Sequence, residues 1–149
     1  MVSSISDGLI AEGLYKKALK ICRADPTKHF IAANLLEESA SKGSIEALYA
    51  LGSWYLHGVF FPKNYRKAAS FFRRAARGNH AKALYDLGMI YKKGVLGSIE
   101  YEKAYKCFFR AALLDDDYAK SQLYRMHKKG VGTFKDFSIA NAWRSSIKS

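Results

Sequence analysis

The residue types that could do chemistry in this 149-residue chain are few and dispersed. Four histidines, His29, His57, His80 and His127, share no metal-ligand spacing of the His-x3-His kind. Gly94-Val95-Leu96-Gly97 lacks the Lys-Ser/Thr that completes a phosphate-cradling loop, and no Gly-x-Ser-x-Gly elbow occurs. Catalysis needs groups that can be brought together with shifted proton affinities, and no such constellation is present. The sequence therefore predicts no catalytic residue, no metal site and no cofactor, and the protein is not expected to be an enzyme. His127 falls at an aromatic core position and reads as a packed histidine. Cys107 aligns with Phe71 and Trp143 and reads as a buried core filler, while Cys22 ends a helix; 85 positions separate the two thiols, and no disulfide scaffold is expected.

What remains is binding chemistry. Twenty-five Lys and Arg against 13 Asp and Glu give a net charge of +12, which points to nucleic acid, an anionic membrane surface or an acidic protein. The hydrophobic fraction of 49% and the aromatic fraction of 14% fit a folded chain with a real core. No apolar run approaches the ~20 residues that cross a bilayer, so membrane insertion is not expected. The start, MVSSISDGLIAEGLYKK, lacks a basic region and a long apolar stretch. No signal peptide is expected there, and a complete chain of this kind would be cytoplasmic.

The elements that must position these charges are read from an internal repeat. Shifted by 36 positions, Ala47, Leu51, Gly52, Tyr55 and Gly58 meet Ala83, Leu87, Gly88, Tyr91 and Gly94. Tyr65, Lys67, Ala68, Phe72, Arg74, Ala75 and Ala76 then meet Tyr101, Lys103, Ala104, Phe108, Arg110, Ala111 and Ala112. A weaker third copy carries Ala119, Leu123, Gly130, Val131, Phe137 and Ala140. A helical period in this range is the signature of an α-solenoid.

One repeat domain over 1–149 is expected, with four helix pairs: a divergent N-terminal cap pair over 7–43, repeats over 45–78 and 81–114, and a C-terminal repeat over 117–147. Asp7 is read as the first N-cap, and Asp25-Pro26 as the break before a second helix from about Thr27 to Ser41. A step of 35 matches Phe30, Ala33, Leu36 and Ala40 to Tyr65, Ala68, Phe71 and Ala75, with Gly43 and Gly78 closing the helices. The remaining helices are expected near 45–57, 65–77, 81–93, 100–113, 117–129 and 136–147, with Asp115-Asp116-Asp117 capping the seventh. Gly58, Gly94 and Gly130 are expected to stop helices in the left-handed conformation. Gly52 and Gly88 lie within helices, where glycine costs ~1 kcal/mol against alanine, so close helix packing is expected there, with Ala68, Ala75 and Ala76 opposite.

The pattern Ala-x3-Leu-Gly-x2-Tyr-x2-Gly followed by Lys-Ala-x6-Ala-Ala resembles the Sel-like repeat family, relatives of the tetratricopeptide repeat. Gly130-Val-Gly-x3-Asp136 approximates that family's interhelical loop, with Asn64 and Glu100 in the acidic place elsewhere; His127 and Tyr124 depart from its tyrosine and glycine. The resemblance implies an all-α, right-handed α-solenoid of about four antiparallel helix pairs, serving as an adaptor or scaffold that binds proteins on a concave face. Carrying over the groove positions of that frame gives Lys17 and Lys20, then Glu46, Tyr49, Ser53, Leu56 and His57. The third pair gives Lys82, Tyr85, Met89, Lys92 and Lys93, and the fourth Tyr118, Ser121, Arg125, Lys128 and Lys129. Eight of these 17 are basic and one is acidic, with Lys92-Lys93 and Lys128-Lys129 in period to form a ladder. Tyrosine and methionine anchors beside cations suit a protein interface. The opposing view, that end-of-helix lysines only complement the helix dipole, leaves Tyr49, Tyr85 and Lys82 unexplained.

The expected partner is an acidic protein, bound by an adaptor or by an inhibitor such as a bacterial immunity protein that neutralises a cognate toxin. Binding of RNA is the alternative, weakened because no two-residue base-reading code recurs in the repeats.

Overall fold

The 36-residue register is fixed by how the chain turns. The computed structural model describes residues 2–148, which form eight α-helices and one 3-10 turn, with no strand among the described residues. The helices are α1 (Val2–Ala24), α2 (His29–Ser41), α3 (Ile45–His57), α4 (Tyr65–Arg77), α5 (Ala81–Lys93), α6 (Tyr101–Leu113), α7 (Asp117–Lys129) and α8 (Phe137–Ser145); the 3-10 turn is Pro26–Lys28.

Inside each pair the chain turns at Gly58, Gly94 and Gly130, with φ of 68°, 67° and 69°. A side chain there would be strained by the left-handed backbone and would meet Lys63, Ile99 or Lys135. Between pairs, Gly43, Asn79 and Asp115 take the left-handed conformation, again 36 apart, with φ of 93°, 58° and 67°. The expected role of Gly78 thus belongs to Asn79, a residue type that tolerates this region because its short polar side chain costs little there. The next residue in each case caps a helix: Ser44 accepts from the Ala47 N–H at 3.1 Å, His80 from Ala83 at 3.1 Å and Asp116 from Ala119 at 2.7 Å. Asn64 and Asp136 do the same for α4 and α8, accepting from Lys67 and Ile139 at 2.9 Å each. Glu100 makes no such bond and pairs with Lys103 instead.

The buried residues correct the alignment of the first pair. Ala32, Ala33, Leu36, Ser39 and Ala40 are buried, as are Ala68, Ala69, Phe72, Ala75 and Ala76, so the step is 36 and not 35. In the same register Ala11, Ala47, Ala83 and Ala119 are all buried. Asp7 is not an N-cap, because α1 begins at Val2 and Asp7 lies within it, 3.9 Å from Lys42. Asp25 starts the 3-10 turn, accepting from the Thr27 N–H at 3.0 Å, and α2 begins only at His29. The last helix stops at Ser145, short of 147, where the Ser146 N–H closes it on Ala142 and Trp143.

Backbone contacts divide the chain into two units, one ending at Ala75 and the other beginning at Ala76. In the first, α1 packs on α2 and α2 on α3, and the Ser39 hydroxyl donates to the Ala11 carbonyl at 2.6 Å. Gly52 of α3 lies under the Phe72 ring; a β-carbon there would come within 2.6 Å of it. In the second unit α5 packs on α6, α6 on α7 and α7 on α8. Its core gathers Leu84, Phe108, Leu123, Met126 and the alanines between them, and Gly88 lies under Phe108 as Gly52 lies under Phe72. Close packing at these glycines is as expected, but the opposing groups are phenylalanine rings and not Ala68, Ala75 or Ala76. Each ring, fully buried, contributes about 1.5–3 kcal/mol.

Lys120 stands where Leu48 and Leu84 stand in the earlier copies, yet it is buried. Its ammonium donates to Asp115 at 2.5 Å, Asp117 at 2.9 Å and the Ser146 carbonyl at 3.1 Å, tying the end of α8 to the start of α7. Lys148 also pairs with Asp115, and the two lysines hold that carboxyl down at about 2.

Candidate partner-binding surface

The predicted surface residues sit on the first helix of each pair. In the second unit α5 carries Lys82, Tyr85, Met89, Lys92 and Lys93, and α7 carries Tyr118, Ser121, Arg125, Lys128 and Lys129. A buried residue that sequence reasoning missed, Gln122, organises them. Its side-chain oxygen accepts from the Lys92 ammonium at 2.7 Å. Lys92 thus reaches across to the neighbouring helix and is not left at its own helix end. Burial lowers its proton affinity first, and the charges of Arg125, Lys129 and Lys93 lower it further.

Beside this cluster the Tyr85 ring lies 5.8 Å from Phe108 and 5.9 Å from Tyr118, centroid to centroid. Tyr85 and Met89 are half-buried against the core, whereas Tyr118 is 74% exposed. The pair is therefore an anchored ring supporting a solvent-facing one. Burial raises the Tyr85 hydroxyl above its ordinary value.

The charges of Arg125, Lys129 and Lys93 act on Lys92, while Lys128 engages Tyr124. Its ammonium is 3.3 Å from the Tyr124 hydroxyl, and the Tyr124 ring also faces Arg144 of α8. Gln122 could have been suspected from its register: it occupies the place of Ala50 and Asp86.

In the first unit, Tyr49 is half-buried with its ring 5.8 Å from Phe72, repeating the Tyr85–Phe108 contact. Ser53 and Leu56 are half-buried, while His57, Lys17 and Lys20 are exposed.

The other candidate groups are structural. His127 is buried, with Nε2 3.2 Å from the Tyr105 hydroxyl and its ring edge-on to Tyr105 and Phe134; Nδ1 has no partner. Both cysteines are free and half-buried; burial pushes the Cys107 thiol up to about 11 and raises Cys22 as well. Among the described residues no three His, Cys, Asp or Glu lie together as metal ligands, and no helix is long and apolar enough to cross a membrane.

The Sel1 repeat pattern matches residues 45–80, 81–116 and 118–143. A crystal structure of a protective antigen present in uropathogenic Escherichia coli strains, displaying an SLR fold, superposes with a TM-score of 0.85 at 23% identity. It covers 92% of this chain and 30% of its own. A Sel1 repeat protein from Oxalobacter formigenes superposes with a TM-score of 0.80 at 23% identity, covering 91% of this chain and 56% of its own. The chain thus spans roughly a third and just over half of these two structures. No curated protein sequence is significantly similar. Sel1 repeats build all-α solenoids that are commonly protein–protein interaction modules and generally non-enzymatic scaffolds. With three matched copies covering most of its length and the repeat's turn glycines in register, this chain belongs to the Sel1 repeat family.

Proposed function

We propose that the protein is a non-enzymatic binding module, acting in the cytoplasm, whose basic, tyrosine-bearing face takes an acidic segment of another protein. The observation that carries this reading is Lys92 of α5, which reaches neutral Gln122 on α7 at 2.7 Å while the charges of Arg125, Lys129 and Lys93 act on it. Like charges held this close repel one another, and an acidic partner relieves that cost while gaining attraction. Met89 and the Tyr85–Tyr118 pair supply the apolar anchoring that charge alone lacks, and Lys82 adds a further cation on α5. Tyr49, Ser53, Leu56 and His57 occupy the corresponding helix positions of the first unit. Such a face serves an adaptor, or an inhibitor such as an immunity protein that blocks a cognate toxin by occupying its surface. No catalytic residue, metal or cofactor enters this reading.

The test compares two baits in nuclease-treated extract, the wild-type chain and Lys93→Glu/Arg125→Glu/Lys129→Glu. All three positions are exposed or half-exposed, so the variant should keep its helicity. One acidic protein is expected on the wild-type bait, released at moderate salt and absent from the variant; its identity distinguishes adaptor from inhibitor. Equal capture by both baits, or RNA and DNA alone from untreated extract, would refute the proposal.

A further inference from the structure

We infer that the first unit carries a second binding site, made by the exposed side of α4 and the aromatic cluster beside it, and that its ligand is single-stranded nucleic acid. Helix α4 holds Arg66, Lys67, Arg73, Arg74 and Arg77 and no acidic residue. Arg66, Lys67, Arg73 and Arg74 all reach solvent, and among the described residues none of these four side chains has an ion pair or a hydrogen bond. The contacts they make are with rings: the Lys67 ammonium is 4.9 Å from the Tyr55 centroid, and the Arg74 guanidinium 5.8 Å from that of Phe71.

General solvation does not explain this helix. The matching positions of α6 read Glu102, Lys103, Phe109 and Arg110. There Lys103 pairs with Glu100, and Arg110 donates to the Ala76 carbonyl at 2.8 Å and to Asn79 at 3.2 Å. Unpartnered guanidinium forks fit phosphate oxygens, which they grip in bidentate fashion.

The rings argue for bases. Tyr55 lies between Phe61 and Phe71, 5.1 Å and 5.9 Å away and nearly parallel to both. Phe61 in turn meets the edge of Phe30 at 5.9 Å. Phe30 is 65% exposed, at the position that is Arg66 and then Glu102 in the following copies. An aromatic ring offered to water, backed by other rings and bordered by free cations, is the arrangement on which unpaired bases stack. Bases in a duplex are already stacked and cannot use it.

The experiment measures fluorescence anisotropy of labelled oligouridylate and oligothymidylate, each about 20 nucleotides and longer than one site, with the whole chain over a KCl series. Arg66→Gln/Arg73→Gln should lower the salt slope by about 1.4, at about 0.7 for each phosphate that is no longer neutralised. Phe30→Ala should weaken binding about 5- to 100-fold with the slope unchanged. Lys93→Gln/Arg125→Gln removes the same charge from the second unit and should alter neither. Circular dichroism checks that each variant is helical. The inference is overturned if neither oligonucleotide binds at low salt, if Phe30→Ala has no effect, or if the second-unit pair matters as much as the α4 pair. It is also overturned if phosphatidylserine vesicles bind through Phe30 while the oligonucleotides do not. The acidic-protein reading of the Lys92 face rests on other residues and has its own test in the bait comparison; of these outcomes only an effect of the second-unit pair would bear on it.

Discussion

In the second unit most of the cations that matter to packing are held: Lys120 by two aspartates and a carbonyl, Lys103 by Glu100, Arg110 by Ala76 and Asn79, Lys92 by Gln122. In the first unit the four cations along α4 have no such holder, and Phe30 stands where Arg66 and Glu102 stand further along. Yet both units build the same joint, a bare glycine under a buried phenylalanine, with a tyrosine leaning on that ring. The contrast shows that the joint is repeated in both units while the charged residues around it differ. The small and aromatic residues that close the helices are copied faithfully, and the polar residues around them are free to diverge.

Four measurements would break or sharpen that comparison. The chain has one tryptophan in each unit, Trp54 and Trp143, so Trp54→Phe and Trp143→Phe backgrounds let fluorescence report each unit in turn. Phe72→Ala and Phe108→Ala should each cost about 3–5 kcal/mol of unfolding free energy in denaturant titrations. A large difference between the two would show that the joints are not equivalent. Next, Gly52→Ala and Gly88→Ala should each destabilise by about 1–3 kcal/mol, although alanine favours helix, because the new methyl collides with the ring. Shrinking the ring to leucine in the same chain should recover part of the loss, and a purely additive double mutant would refute the contact.

His127→Tyr restores the residue found at Tyr55 and Tyr91 and removes a buried nitrogen without a partner. It should raise stability by about 1 kcal/mol, measured as a shift in denaturation midpoint. The smallest effect concerns acid. Asp115 is held down to about 2 from an ordinary 3.8, so its stabilising contribution is present above 3.8 and is lost as pH falls towards 2. Thermal melts followed by Trp143 should therefore drop over that window, and Lys120→Leu should flatten the drop. An unchanged profile in Lys120→Leu would mean that this cluster does not link the end of α8 to α7.

The architecture was legible because identical residues recur at a fixed spacing: Ala47 with Ala83, Gly52 with Gly88, Gly58 with Gly94. Helix ends from α3 to α7 agree with expectation to within a residue. The first pair was misregistered by one because its identities are few, and only burial shows that Leu36 is the equivalent of the buried Phe72. The surface was harder to read. Lys92 could be placed on a helix face, but its anchor Gln122 lies on another helix, and no periodic rule links a lysine to a glutamine 30 positions away. Lys120 gave no warning either, since a lysine in a leucine's place is stable only through aspartates and a carbonyl that three-dimensional folding brings to it.

The left-handed residues Gly43, Asn79 and Asp115, each followed by a capping residue, have a consequence for ancestry. A chain cut after any of them ends and restarts with the same backbone geometry and the same cap acceptance. Unequal recombination at such points would duplicate or delete a 36-residue cassette without creating a foreign junction. The chemistry of a turn thereby decides how the gene can lengthen, and each new cassette arrives with its surface free to drift towards another ligand.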